Sequence, residues 1–136
     1  MNNKKNFVNK LRSSGLRATR QRIEICKVLY DREKTFHFTI NDLVKILQRK
    51  SKEEISLATI YNTVCAFKNK NYLKEIFINT NKSYFDTNVS NHHHFFNEST
   101  EELIDLKNSD VEKVKIKRKI PGKKIKSVEV LVRVSD

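Results

Sequence analysis

The sequence predicts an α+β chain in two parts, and three observations carry that expectation. The N-terminal half holds four segments with helical apolar spacing, three of them opened by a Ser or Thr. After Asn71 the apolar period changes from helical to alternating. Three of the four histidines then stand together in Asn91-His92-His93-His94-Phe95-Phe96, inside the alternating region.

Each element has its own signal. Residues 4–14 read as a short basic helix closed at Ser13-Ser14-Gly15, where glycine suits the C-terminal cap. Thr19 caps a second helix, with Ile23, Cys26 and Leu29-Tyr30 on its apolar side and Asp31-Arg32-Glu33-Lys34 ending it. Thr39 and Asp42, three residues apart, form a shortened capping box for a third helix whose face is Ile40, Leu43, Val44 and Leu47. Gln48-Arg49-Lys50 brings cations to its C-terminus, where they suit the helix dipole.

Ser56 caps a fourth helix, residues 57–70, with Leu57, Ile60, Val64 and Phe67 as its expected buried stripe. The other side then presents Ala58, Thr59, Asn62, Thr63 and Ala66, with Tyr61 at the border. A merely solvated face is usually richer in Glu and Lys. Small and amide side chains instead let a helix lie close to base edges in a DNA groove. Leu73, Ile76, Phe77 and Ile78, then Tyr84-Phe85, bracket Asn79-Thr80-Asn81-Lys82 as a β-hairpin with a polar turn. Helices followed by such a hairpin make a winged helix-turn-helix, and Lys82 near the tip suits a phosphate contact.

Residues 92–97 and 102–106 read as two strands around Glu98-Ser99-Thr100. The period-two run Val128, Val130, Val132, Val134 predicts a last strand, with an edge able to pair across a dimer. Between them, residues 107–126 have no settled pattern: Asp110 to Val114 suits a helix start, while Ile/Lys alternation suits a strand. The expected division is therefore a winged-helix DNA-binding domain over 1–88 and a small α/β dimerisation and effector-sensing domain over 89–136.

The formal net charge is +12, and its distribution says more than its size. Residues 1–74 carry 17 basic against 6 acidic side chains, residues 75–106 one against six, and residues 107–126 nine against two. A Lys- and Asn-rich bias from an AT-rich genome would not place an acidic middle between basic flanks. The basic N-terminal half points to a polyanion, with double-stranded DNA first. Cys26 and Cys65 lie in helical patterns, too far apart for a Cys-x-x-Cys motif, and are expected to be buried free thiols. No signal peptide or membrane-length apolar stretch is present, so a cytoplasmic protein with no membrane partner is expected.

On a strand, His92 and His94 share one face and His93 takes the other, with alternate Cα atoms roughly 6.6 Å apart. Two imidazoles so placed can converge on one ion with a carboxylate from a neighbouring strand. Asp86, Glu98, Glu101, Glu102 and Asp105 are the nearby acids. The bland alternatives are a solvated histidine run and an expression tag; the run's mid-chain position argues against a tag. His37, between Phe36 and Phe38, reads by itself as a loop histidine with a packing role.

Four stretches, in order, resemble the ferric uptake regulator family: Gly15-Leu16-Arg17-Ala18-Thr19-Arg20-Gln21-Arg22, His37-Phe38-Thr39, Leu57-Ala58-Thr59-Ile60-Tyr61 and His92-His93-His94. Tyr84 to Asn88 with His92 to Phe96 is most similar to its iron response regulator subgroup. The resemblance implies a homodimeric transcription regulator of iron or haem homeostasis, not an enzyme, acting on AT-rich palindromic operators. It places Arg17 at the minor groove and turns Tyr61 and Asn62 to the major groove; with Ala58, Thr59 and Thr63 from the helix face, Lys82 from the wing and Arg20 beside the first motif, these make the expected DNA-binding set. It implies an interdomain metal site of His37, Asp86, His94 and Asp105, with His92 as an alternative or added ligand. The effector would be haem, held at His92, His93 and His94, or a divalent metal (Fe²⁺, Mn²⁺ or Zn²⁺). A haem-delivering protein would be a further partner in the first case.

The departures are specific. Asn62 stands where the family usually has Arg, and Asp86 and Asp105 where it usually has Glu. The Cys-x-x-Cys pairs of the family's structural zinc site, a late histidine and a Cys-Pro dipeptide are missing. A structural zinc held by four cysteines is therefore not expected. Two other readings compete: a ligand-independent nucleic-acid-binding architectural protein, and a metal-dependent hydrolase using His92 and His94. The hydrolase lacks a general base or nucleophile motif and leaves the fourth helix unexplained.

Overall fold

A computed structural model describes residues 3–136. The chain divides into two compact units, Met1–Val89 and Ser90–Asp136. Unit one contains α1 (Asn3–Ser13), α2 (Arg20–Tyr30), β1 (His37–Phe38), α3 (Ile40–Lys50), α4 (Leu57–Asn69), β2 (Lys74–Asn79) and β3 (Lys82–Asp86). Unit two contains β4 (His93–Asn97), β5 (Glu102–Leu106), a 3-10 turn at Asn108–Asp110 and β6 (Leu131–Val134).

The helix starts follow from side-chain caps. Thr19 accepts from the Arg22 amide and Ser56 from the Thr59 amide. Thr39 and Asp42 make the full reciprocal capping box at α3. Gly15, at φ +80°, turns the chain after α1, a conformation that needs no Cβ. The core of unit one gathers Leu11, Ile25, Cys26, Leu29, Phe38, Leu43, Val64 and Phe67, all fully buried. Lys10 lies over the Tyr30 ring, 3.4 Å from its centroid, and the Tyr30 hydroxyl donates to the Tyr72 carbonyl. These contacts tie α1 to α2 and to the start of the wing.

The first sheet runs β1-β3-β2, all antiparallel. β1 has no local strand signal; its two residues are held by pairing to β3, almost fifty residues later, and by Phe38 stacked between Phe36 and Phe85. His37 is thus a strand residue and not a loop one. The second sheet runs β5-β4-β6, with β4 antiparallel to β5 and parallel to β6. Phe96, Leu103 and Leu106 are its buried apolar side chains.

Three expectations need correction here. The last strand begins at Leu131, not Val128; it pairs with β4 and remains an edge strand of the sheet. Residues 111–130 form neither helix nor strand, because their alternating apolar positions have no layer to pack on. In α4, Leu57 is 55% exposed and Cys65 is exposed, while Thr63 is fully buried. The Thr63 hydroxyl donates to the Thr59 carbonyl one turn back at 2.7 Å, so the side chain enters the core with its polar atom satisfied. Among the described residues, no helix is long and apolar enough to cross a membrane.

Candidate nucleic-acid interface and metal ligands

The outer face of α4 follows from its buried stripe. With Ile60, Thr63, Val64 and Phe67 turned inward, Ala58, Tyr61, Asn62 and Cys65 face solvent one turn apart. No carboxylate occurs in the helix. Tyr61 is 48% exposed. Thr59 is half-buried and its hydroxyl is engaged with that of Ser56 at 2.9 Å. Of the sequence-predicted set on this helix, Ala58, Tyr61 and Asn62 are presented outward and Thr59 is at the edge. Thr63 is removed from it, since a side chain with no exposed area cannot reach a base. Cys65 was missed; its position four residues after Tyr61 is the signal that would have found it.

Two clefts flank this face. One, of about 430 Å³, is lined by Arg17, Thr19, Gln21, Arg22, Glu54, Ser56 and Thr59. The capped starts of α2 and α4 meet two cations and one carboxylate here, so the cleft carries a net positive charge beside two helix N-termini. The Arg22 guanidinium donates to the Arg17 carbonyl at 3.0 Å, holding the loop that displays the exposed Arg17 side chain. Arg20, the first residue of α2, is also exposed. The second cleft, about 770 Å³, lies between α4 and the wing and includes Tyr61, Phe77, Asn79 and Lys82. Lys82 opens β3 just after the turn, with its ammonium 5.5 Å from the Tyr84 ring centroid. The wing is joined to the end of α4 by the Lys68–Glu75 ion pair at 2.7 Å, and this contact lowers the Glu75 carboxyl below its usual range.

Each unit presents its own imidazole–carboxylate group. In unit one, His37 and Asp86 are cross-strand partners on β1 and β3, with Nε2 and Oδ2 3.3 Å apart. The Asn88 amide donates to the other oxygen, Oδ1, at 2.8 Å and fixes the buried carboxylate. In unit two, His94 and Asp105 are cross-strand partners on β4 and β5. His92, one residue before β4, comes to the same side, its ring centroid 4.4 Å from that of His94. Both Nε2 atoms approach Asp105 Oδ1, at 3.3 and 3.4 Å. The ligand atoms of His92, His94 and Asp105 lie within 4.8 Å of one another.

The tautomers say what the second group can hold. His92 Nδ1 lies 2.7 Å from the Ser90 carbonyl. A carbonyl only accepts, so Nδ1 carries the proton. Nε2 is then the nitrogen that can offer a lone pair, and it lies on the Asp105 side. The Ser90 contact is the kind of outer partner that orients metal-bound histidines. Two imidazoles and a carboxylate suit a borderline divalent ion such as Zn²⁺, Mn²⁺ or Fe²⁺. His93 is different: its Nδ1 accepts from the Val130 amide at 2.9 Å, so the neutral ring carries its proton on Nε2. Neither nitrogen offers a ligand lone pair, which removes His93 from the expected haem set. Ser90 and Asn88 act through backbone atoms and leave no mark in a residue pattern.

A family model described as the ferric uptake regulator family matches residues 13–133. The peroxide-responsive repressor PerR of Staphylococcus epidermidis is 34% identical over 96 residues, covering 71% of this chain and 62% of that protein. PerR of Staphylococcus aureus is 33% identical over the same length, covering 63% of that protein, so the chain spans less than two thirds of the relatives' length. Among solved structures, the manganese-bound ferric uptake regulator of Pseudomonas aeruginosa aligns with a TM-score of 0.69 at 22% identity, over 96% of this chain and 97% of that one. That of Vibrio cholerae aligns with a TM-score of 0.69 at 20% identity, over 95% and 98%. At these identities the structural likeness carries the fold alone.

Proposed function

We propose, given that this chain belongs to the ferric uptake regulator family, that it is a DNA-binding transcriptional regulator whose grip on its operator depends on a bound divalent metal. The family is one of transcription regulators, not enzymes. The carrying observation is the outer face of α4, free of carboxylates and bearing Ala58, Tyr61 and Asn62. Tyr61 and Asn62 read base edges in the major groove, and Asn pairs bidentately with adenine. Arg17 enters the minor groove, where narrow A-tracts concentrate negative potential. Arg20, Lys82 and the Arg17–Arg22 cleft contact phosphates. The operator is an AT-rich palindrome, read by a homodimer.

His37 and Asp86 of unit one, with His92, His94 and Asp105 of unit two, serve as one ligand set. That assignment rests on the family resemblance and on the geometry inside each unit. When bound, the ion supplies a charge that ligands from both units compete to neutralise. It shifts DNA affinity only by its unequal affinity for the arrangements that do and do not fit the operator. The regulated process on this reading is iron homeostasis.

Haem is the second effector reading, that of the iron response regulator subgroup, and the adjacent rings of His92 and His94 favour it. Fluorescence anisotropy with an AT-rich duplex, titrated separately with Fe²⁺, Mn²⁺, Zn²⁺ and haem, tests both. A divalent ion should change affinity at least about fivefold, the lower end of ordinary coupling. Equal affinity with and without every effector would return the protein to the ligand-independent architectural class. For haem, a normal Soret shift after joint replacement of His92 and His94 would move it off these rings.

A further inference from the structure

We propose that residues 111–130 are a second contact for duplex DNA, a basic arm that lies along the phosphates and is independent of α4. This rests on the DNA-binding reading above. Residues 113–126 hold eight cations and no carboxylate: Lys113, Lys115, Lys117, Arg118, Lys119, Lys123, Lys124 and Lys126. Every residue from 112 to 127 is exposed. None of the eight cations forms an ion pair among the described residues. Such a density of like charge is repulsive at short range and is relieved by a polyanion.

The shape suits the charge. Ile120-Pro121-Gly122-Lys123 is a tight turn, closed by the Lys123 amide donating to the Ile120 carbonyl at 3.1 Å, with Gly122 at φ +75°. Proline followed by a glycine of positive φ is the chemistry of a type II turn. Two limbs therefore leave one apex, and no ladder joins them. A cleft of about 630 Å³ opens beside the apex, lined in part by Ile116, Ile120, Ile125, Lys119, Lys123 and Lys124. In extended chain, Lys113, Lys115, Lys117 and Lys119 recur on one face every ~6.6 Å. Two phosphate steps of one DNA strand advance ~6.8 Å along the helix axis. Ile120, 70% exposed beside Pro121, is the type of apolar tip that minor-groove binders press between base steps.

The competing occupant is the acidic β5 region of a second copy. It offers Glu98, Glu101, Glu102 and Asp105, and Asp105 already faces His92 and His94. Four carboxylates leave at least half of the eight cations unneutralised. DNA has no such shortfall.

The test compares the full chain with a variant carrying Lys117→Gln, Lys119→Gln, Lys123→Gln and Lys124→Gln. Both are titrated against operator and unrelated duplexes between 50 and 200 mM salt. Each lost phosphate contact should lower the slope of log K against log salt by about 0.9. Four lost contacts make the wild type shed about a hundredfold more affinity over that range than the variant, on both duplexes. Unchanged thermal unfolding shows that the variant is folded. Wild-type binding with an unchanged slope in the variant overturns the arm and leaves the α4 reading standing. Absence of duplex binding by the wild type overturns both. A variant that keeps the slope but changes sedimentation mass makes the arm an interface between copies, which also overturns the proposal.

Discussion

The most informative single positions are on α4, where burial separates residues that look alike in sequence. Thr63 and Asn62 are neighbours, yet one closes the core and the other meets solvent. Asn62→Arg should move preference from adenine toward guanine at one operator position, a change of about 1–3 kcal/mol readable by competition with base-substituted duplexes. Arg17→Ala should weaken operator binding and lower the salt slope by about one. The two cysteines should separate as cleanly. Burial pushes the Cys26 thiol up to about 12, while Cys65 is exposed. Iodoacetamide at pH 8 should label Cys65 alone, as read by peptide mass, because only the thiolate attacks and Cys26 stays protonated and enclosed. Pre-bound operator should protect Cys65; equal labelling rates with and without DNA would remove α4 from the groove.

At the scale of elements, what was legible had local causes. Thr19, Thr39 and Ser56 announced α2, α3 and α4 because a cap and its helix lie within four residues of one another. Thr39→Ala should lower stability by about 1 kcal/mol, measured by denaturant unfolding. The wing showed itself by its period and polar turn. β1 did not, since two residues carry no period and its partner β3 is distant in sequence. Phe38 makes that pairing firm, so Phe38→Ala should cost about 3–5 kcal/mol and release His37 from Asp86. The alternation at Val128 to Val134 was real but overextended, because pattern alone does not say where a neighbouring strand ends. Leu57 misled for a related reason: helical spacing continues into the first turn of α4, past the edge of the core. The His92/His94 parity was readable from strand geometry. The exclusion of His93 was not, because it depends on the Val130 amide, thirty-seven residues away in sequence.

At the scale of the whole chain, the proposed ligands are divided between two separately packed units, His37 and Asp86 in the first and His92, His94 and Asp105 in the second. If they serve one ion, removing either group should weaken binding of the same equivalent. His37→Ala and Asp105→Ala should each lower Mn²⁺ affinity by at least about tenfold in calorimetric titration, and the double variant should lose less than the sum of the two free energies. Two independent transitions, each abolished by only one substitution, would instead separate the groups into different sites. The charge pattern belongs to this scale too: basic flanks surround an acidic middle that contains Asp86 and Asp105.

The carbonyl of Ser90 belongs to the opening residue of unit two, immediately after the seam between the units, and it is the group that grips the His92 ring. Fixing that imidazole therefore also fixes the peptide that starts the second unit. An ion held by His92 Nε2 would keep that ring, and with it the short backbone run from Ser90 to His92, in a single setting, so that occupancy orders the opening residues of the second unit.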